Sequence, residues 1–298
     1  MRYALSLWIV LCFGGLVHAQ SYEYSGNNVD DILKKATACD AKAQRNLGYM
    51  YSIGKGISQD YKQAAFWYRK AAEIGDANAQ YNLGYMYKKG YGVSQDYKKA
   101  AFWYRKAAEQ GDANSQSSLG YIYATGKGVS QDYKQAIFWY LKAAEQGDAK
   151  AQCNLGRMYY LGDGVSQDNK QAIFWYRKAA VQRHANAQYN LGYMYEKGDG
   201  VLQDYKQAAF WYRKAAVQGD GVIQNKLGVM YYEGKGVSQD YIEAYAWYII
   251  AASNGVRKGL DLAENKPVFK SIKLQAQARA KQIVTEEEAL IPKKGSSL

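Results

Sequence analysis

Histidine and cysteine are the residues that most often carry metal binding or nucleophilic catalysis, and this chain has few of either. Beyond residue 19 its histidine is His184 and its cysteines are Cys39 and Cys153. Zinc sites gather several such donors at short spacing, and the chain has neither a histidine pair nor a CxxC. No acidic loop supplies the oxygen ligands that calcium takes. No Ser or Cys stands near His184 in sequence, so no nucleophile–base pair can be picked out. Gly48 followed by Gly54-Lys55-Gly56 has one residue too many between its glycines for a phosphate loop, and no Ser or Thr follows the lysine. The expectation is a protein with no catalytic residues, no metal and no cofactor. What remains is binding chemistry. Tyrosine offers contact area with a polar tip, and asparagine both donates and accepts. Both recur at fixed intervals, as at Tyr49, Tyr85, Tyr121 and Tyr193.

Those intervals belong to a 36-residue unit used six times, from Asp40 to Gly255. Its second copy, Asp76 to Gly111, reads DANAQYNLGYMYKKGYGVSQDYKKAAFWYRKAAEQG, and the later copies begin at Asp112, Asp148, His184 and Asp220. A period of this length marks a stacked array of small helical units. In the second copy Ala79, Leu83, Met86 and Tyr87 form one buried helical stripe, with Asp76 as N-cap and Gly90 as the left-handed stop. Asp96 caps a second helix that buries Ala100, Trp103, Tyr104, Ala107 and Ala108. Asp60/Gln63, Asp132/Gln135, Asp168/Gln171, Asp204/Gln207 and Asp240/Glu243 are spaced as capping boxes. The tryptophans at 67, 103, 139, 175, 211 and 247 are expected in the core. Gly84 and its counterparts Gly48, Gly120, Gly156, Gly192 and Gly228 fall mid-helix, where glycine costs up to about 1 kcal/mol against alanine. Six equal penalties imply close approach of the neighbouring helix.

The succession LGYMY, GxGV, QDYxxA, FWYRKAA and G-D-A resembles the Sel-one-like repeat, a relative of the tetratricopeptide repeat. The resemblance covers 40–255 and implies an all-α fold, a right-handed superhelical solenoid of antiparallel helix pairs. The repeats are 40–75, 76–111, 112–147, 148–183, 184–219 and 220–255. Residues 29–39 read as an N-terminal capping helix and 256–290 as a degenerate C-terminal capping pair whose last helix starts at Asn265 and Pro267. Residues 291–298 read as a disordered tail.

Residues 1–19 read as a cleavable export signal. Met1 and Arg2 precede an apolar run from Leu5 to Val17, too short to span a bilayer, and His18 and Ala19 precede the expected cut, with 20–28 as a flexible segment. The protein is therefore expected in the periplasm or outside the cell. Cys39 and Cys153 lie more than three repeats apart, whereas a disulfide needs Cα atoms within about 7 Å. They are expected to stay free, or for one to pair with another molecule. The net charge of +12 is spread over the repeats. For an exported chain it argues against nucleic acid and for solubility, with contact to an anionic envelope surface through the basic second-helix ridge as a further expectation. On that ridge Arg69–Glu73 and Arg105–Glu109 have ion-pair spacing.

The first helices have a second face that changes between copies while the packing positions do not. At the Tyr81 position stand Arg45, Ser117, Cys153, Tyr189 and Asn225; at the Lys88 position stand Ser52, Ala124, Tyr160, Glu196 and Tyr232. In tetratricopeptide-related proteins the first helices line a concave surface, and the resemblance implies peptide contact there. The residues expected to bind a protein or peptide partner are Arg45, Tyr49, Asn78, Tyr81, Asn82, Tyr85, Lys88, Tyr121, Arg157, Tyr160, Tyr189, Asn190 and Tyr193. The reading is a non-catalytic scaffold for an extended polypeptide. A cysteine-rich secreted branch of the family is associated with penicillin binding or β-lactam hydrolysis, but it carries a cysteine pair in each repeat, and here only Cys153 falls inside the six copies. A third reading is a spacer that self-associates through its ends.

Overall fold

The helices of the six repeats each start where a side chain caps them, and the first helix of each repeat stops where glycine lets the backbone turn. The computed structural model describes residues 29–290, and among them every element is an α-helix. The expected leader 1–19, the segment 20–28 and the tail 291–298 lie outside the described residues. Two compact units divide at Gln146 and Gly147. The first holds α1 (Val29–Thr37), α2 (Ala41–Ile53), α3 (Tyr61–Glu73), α4 (Ala77–Lys89), α5 (Tyr97–Glu109), α6 (Ala113–Thr125) and α7 (Tyr133–Glu145). The second holds α8 (Ala149–Leu161), α9 (Asn169–Val181), α10 (Ala185–Lys197), α11 (Tyr205–Ala216), α12 (Gly221–Glu233), α13 (Tyr241–Ser253), α14 (Lys258–Glu264) and α15 (Pro267–Leu290). No described helix is long and apolar enough to cross a membrane. Within each unit successive helix pairs stack as a solenoid.

Asp76 Oδ1 accepts the Ala79 N–H at 2.8 Å, and Gly90 closes the helix at φ 76° with its N–H on Met86 O. The expected capping boxes are only half made. Asp60 Oδ1 accepts the Lys62 and Gln63 N–H groups, but the Asp60 N–H donates at 2.9 Å to Tyr51 O, not to the Gln63 side chain. The link between the helices supplies an acceptor from the helix before, so the reciprocal bond has no donor to claim. The next lock is one residue upstream, where Gln95 Nε2 reaches the Lys88 carbonyl at 2.9 Å.

The mid-helix glycines are explained by tyrosine. A Cβ on Gly84 would lie 2.9 Å from the Tyr104 ring, and on Gly120 2.7 Å from that of Tyr140. Tyr68, Tyr104, Tyr140, Tyr176, Tyr212 and Tyr248 are all buried, each in the groove that its glycine opens. This corrects the tryptophan expectation. Trp67, Trp103 and Trp211 are only half-buried, Trp139 and Trp175 are buried, and Trp247 alone among these six is fully enclosed. One residue is about 100° around a helix, so with tyrosine at the centre of the groove its neighbour stands at the edge. The buried stripe is Ala100, Ala101, Tyr104, Ala107 and Ala108.

Polar side chains join one repeat to the next. Buried Gln80 donates Nε2 to Ala72 O at 3.1 Å and accepts from Gln110 Nε2 at 2.8 Å. Gln116 and Gln146 repeat the second bond, as do Gln152 and Gln182 in the other unit. In the first copy Ile74 stands where Gln110 stands in the second, and Gln44 Oε1 is buried with no partner. The basic ridge also departs from expectation. The Arg69 guanidinium donates to Tyr87 Oη at 2.8 Å and that of Arg105 to Tyr123 Oη, each in the following repeat, in place of the expected pairs with Glu73 and Glu109. An acceptor held rigidly on the next helix costs less side-chain entropy than two flexible chains on one helix.

Ile32 and Ala36 of α1 pack on Ala43, Leu47 and Met50. Pro267 opens α15, whose Phe269 and Ala276 join Tyr245 and Tyr248.

Two stability changes are expected. Gly120→Leu drives a side chain into the Tyr140 ring and should destabilise by about 1–3 kcal/mol or more, read as a lower midpoint in urea. Ile74→Gln supplies the missing donor to Gln44 and should stabilise by about 1 kcal/mol in the same measurement.

Candidate functional site

The candidate site is the outward face of the first helices, and it is half-buried rather than open. Tyr49, Tyr81, Tyr85, Tyr121, Tyr189 and Tyr193 are each partly covered. Tyr81 leans on the buried Tyr104 at 5.7 Å between centroids, and Tyr189 on Tyr212 at 5.6 Å. The rings therefore fill part of the space between helices and stay partly accessible. In the first unit Tyr61 and Tyr91 stack at 5.1 Å, and Tyr85 meets Tyr91 edge-on at 6.2 Å. The Lys88 ammonium sits 5.0 Å over the Tyr121 ring, and Lys127 approaches the same ring from its link at 5.7 Å. Asn78, in the first turn of α4, is half-buried.

In the second unit the variable positions Tyr160, Glu196 and Tyr232 are each bonded to a neighbouring side chain. Tyr160 Oη donates to Asp199 Oδ2 at 3.2 Å. Burial and that carboxylate push the Tyr160 hydroxyl up to about 12. Glu196 accepts from Tyr212 Oη at 2.6 Å and pairs with Lys226 Nζ at 2.8 Å. Burial works against the Glu196 charge, but the bonds from Lys226 and Tyr212 prevail and hold its carboxyl below the usual range. Lys266 donates to Tyr232 Oη at 2.6 Å. Arg157 is exposed and Asn190 half-buried.

Two expected contact residues are placed differently. Asn82 is only 4% exposed, because it turns toward the neighbouring helix. Arg45 is committed to Asp76, the N-cap of the next repeat, at 2.9 Å. Others enter the face that were not among the expected contacts, among them Lys127, Asp199, Glu196 and Lys226. Glu196 occupies the changing Lys88 position and Lys226 follows it by 30 residues. Lys127 and Asp199 come from links, whose direction helical spacing does not reveal.

The groups capable of chemistry are placed for structure. Cys39 and Cys153 are both free. Burial pushes the Cys153 thiol up to about 12, so it carries no thiolate near neutral pH. His184 caps α10, its Nδ1 accepting the Ala187 N–H at 3.4 Å. Burial lowers its pKa below the usual histidine value, with Asp148 opposing and Lys150 adding to the shift. Among the described residues no group of three or more His, Cys, Asp or Glu could hold a metal ion.

Helix pairs locked by glycine–tyrosine contacts, presenting a varied tyrosine face, define a repeat scaffold of the tetratricopeptide type. The Sel1 repeat pattern matches residues 41–76, 77–112, 113–148, 149–184, 185–220 and 224–256, and the chain belongs to the Sel1 repeat family. Among solved structures it is similar to c5321, a protective antigen of uropathogenic Escherichia coli with an SLR fold, at 38% identity and a TM-score of 0.78. That similarity covers 88% of this chain, which spans 56% of the longer protein. A Sel1 repeat protein from Oxalobacter formigenes is 37% identical with a TM-score of 0.67, over 76% of this chain and 99% of that one. No curated protein matches the chain. Sel1 repeat proteins are generally protein-interaction scaffolds and bind protein partners.

The histidine cap carries a pH dependence. Its folded pKa lies below the unfolded value, so the stability it contributes is present above about pH 6.5 and lost as pH falls. His184→Asp restores the cap used by the other repeats. It should flatten the fall in melting temperature between neutral and mildly acidic pH relative to the parent.

Proposed function

We propose that this chain is an exported, non-catalytic adaptor that binds an extended segment of a partner protein along the first-helix face. The observation that carries this is the division of labour within the repeat. Glycine, tyrosine, alanine and glutamine positions that pack are nearly invariant across copies, while one first-helix position changes between the partly exposed Arg45, Tyr81, Tyr189 and Asn225 and the buried Ser117 and Cys153. Half-covered tyrosines are already held in place, so binding costs them little side-chain entropy. Phenol groups in series, together with the half-buried amide of Asn78, suit the backbone of an extended chain better than a small apolar ligand.

Export rests on residues 1–19 and is supported by likeness to a protective antigen, a kind of protein that has to be reachable from outside the cell. His184, the one histidine beyond the leader, is engaged in a cap.

Partner capture from envelope or host-cell extract is expected to fall at least tenfold with Tyr85→Ala/Tyr193→Ala, with helical circular dichroism unchanged at the temperature of the assay. Retention of all partners by that variant at parental affinity would refute binding through this face.

A further inference from the structure

The second helices carry a pattern that neither the fold nor the first-helix face uses. α3, α5, α7, α9 and α11 each expose a phenylalanine, Phe66, Phe102, Phe138, Phe174 and Phe210, to 46–53%. Each ring stands edge-on against the following tryptophan at 4.9–5.0 Å. The ammonium of the lysine four residues on lies 4.6–5.8 Å from each ring centroid. Further exposed cations flank the ring, as Lys98, Lys99 and Arg105 do on α5, while α9 and α11 contain no acidic residue. On α9 the residues Lys170, Ile173, Phe174, Arg177, Lys178 and Val181 line a hollow of about 350 Å³. Exposed apolar surface ringed by charge of one sign marks a docking surface.

The sixth copy shows what the same face looks like when protein covers it. On α13 the phenylalanine and lysine positions are Ala246 and Ile250, both buried, and Trp247 is fully enclosed. The cover is α15, through Ala280 and Ile283. A packed helix thus comes with small and aliphatic residues at the ring and lysine positions, and its charged Glu243 is paired with Arg279 of the covering helix. On the five open helices a bulky ring and a lysine stand in its way, and burying those ammonium groups against protein without partners would be costly. A fluid anionic surface meets neither obstacle. Rings enter the headgroup boundary while lysine stems extend alongside and keep their charge at phosphate level.

We propose that, in each unit, the phenylalanine–lysine faces of the second helices dock on an anionic phospholipid bilayer. The cations engage lipid phosphates, and the phenylalanines enter the interface beside them. Each cation near an anionic leaflet adds roughly fivefold to affinity. The surface is distinct from the first-helix face, so a membrane-docked chain still offers its tyrosines to a polypeptide.

The test is co-sedimentation of the full chain with vesicles of phosphatidylcholine alone and of phosphatidylcholine with phosphatidylglycerol. Residues 1–19 are common to parent and variants, so the readout is the difference between them. The parent should partition more strongly to the anionic vesicles. Phe102→Ser/Phe174→Ser and, separately, Lys106→Gln/Lys178→Gln should each weaken that partition at least tenfold, with unchanged helical circular dichroism. Tyr85→Ala/Tyr193→Ala should leave it unaltered. Equal partition to both vesicles overturns the proposal. So does parental partition by the phenylalanine variant, or by the lysine variant. Binding of polyglutamate that displaces the chain from vesicles and ignores the phenylalanines would assign the face to an acidic protein instead.

Discussion

The contact between a mid-helix glycine and a buried tyrosine sets the spacing on which the rest of this protein depends. At Gly84 the missing Cβ leaves room for the Tyr104 ring, so the first helix of a pair can lie close against the second. The alanines at 100, 101, 107 and 108 then suffice to fill the groove, because little space is left for larger side chains. Glycine in a helix costs backbone entropy. That cost recurs in every copy and is offset in every copy by dispersion contacts with a whole aromatic ring. Once the pair is set, the direction of its remaining faces is set as well.

Polar bonds extend the arrangement from one pair to the next. The Gln80–Gln110 bond ties the start of one repeat to the end of its second helix, while Gln80 also satisfies the Ala72 carbonyl of the repeat before. Arg69 and Arg105 reach forward to tyrosine hydroxyls of the following first helix. Buried amides that are fully paired fix register, because a slip by one position would strand donors in an apolar groove. The frame is consequently stiff where copies agree. The first-helix face, with its tyrosines half-seated, can change residue by residue without disturbing it.

Much of this was legible in the sequence. The caps at Asp76 and Asp96, the stop at Gly90 and the close approach at Gly84 follow from spacings of a few residues, and helical geometry converts such spacings directly into position. The reading erred where one residue around the helix decides the outcome. It put Trp103 in the core when Tyr104 holds the centre, and it offered Asn82 to a partner when that side chain turns inward. It also assigned Arg45 and Arg105 to contact or solvent, without seeing acceptors 31 and 18 residues away.

Local periodicity by itself determined the helices, their ends, the repeat and the family, because each depends on interactions within a turn or two of the chain. Only the tertiary structure decided which aromatic is buried, which arginine is committed and which link residues, such as Lys127 and Asp199, join the candidate face. Those outcomes depend on the angle at which separate helices meet, and the glycine–tyrosine contact sets that angle in space. The same holds for the outer face, where Phe102 and Ala246 share one register. One is exposed and the other is covered, because α15 packs over α13.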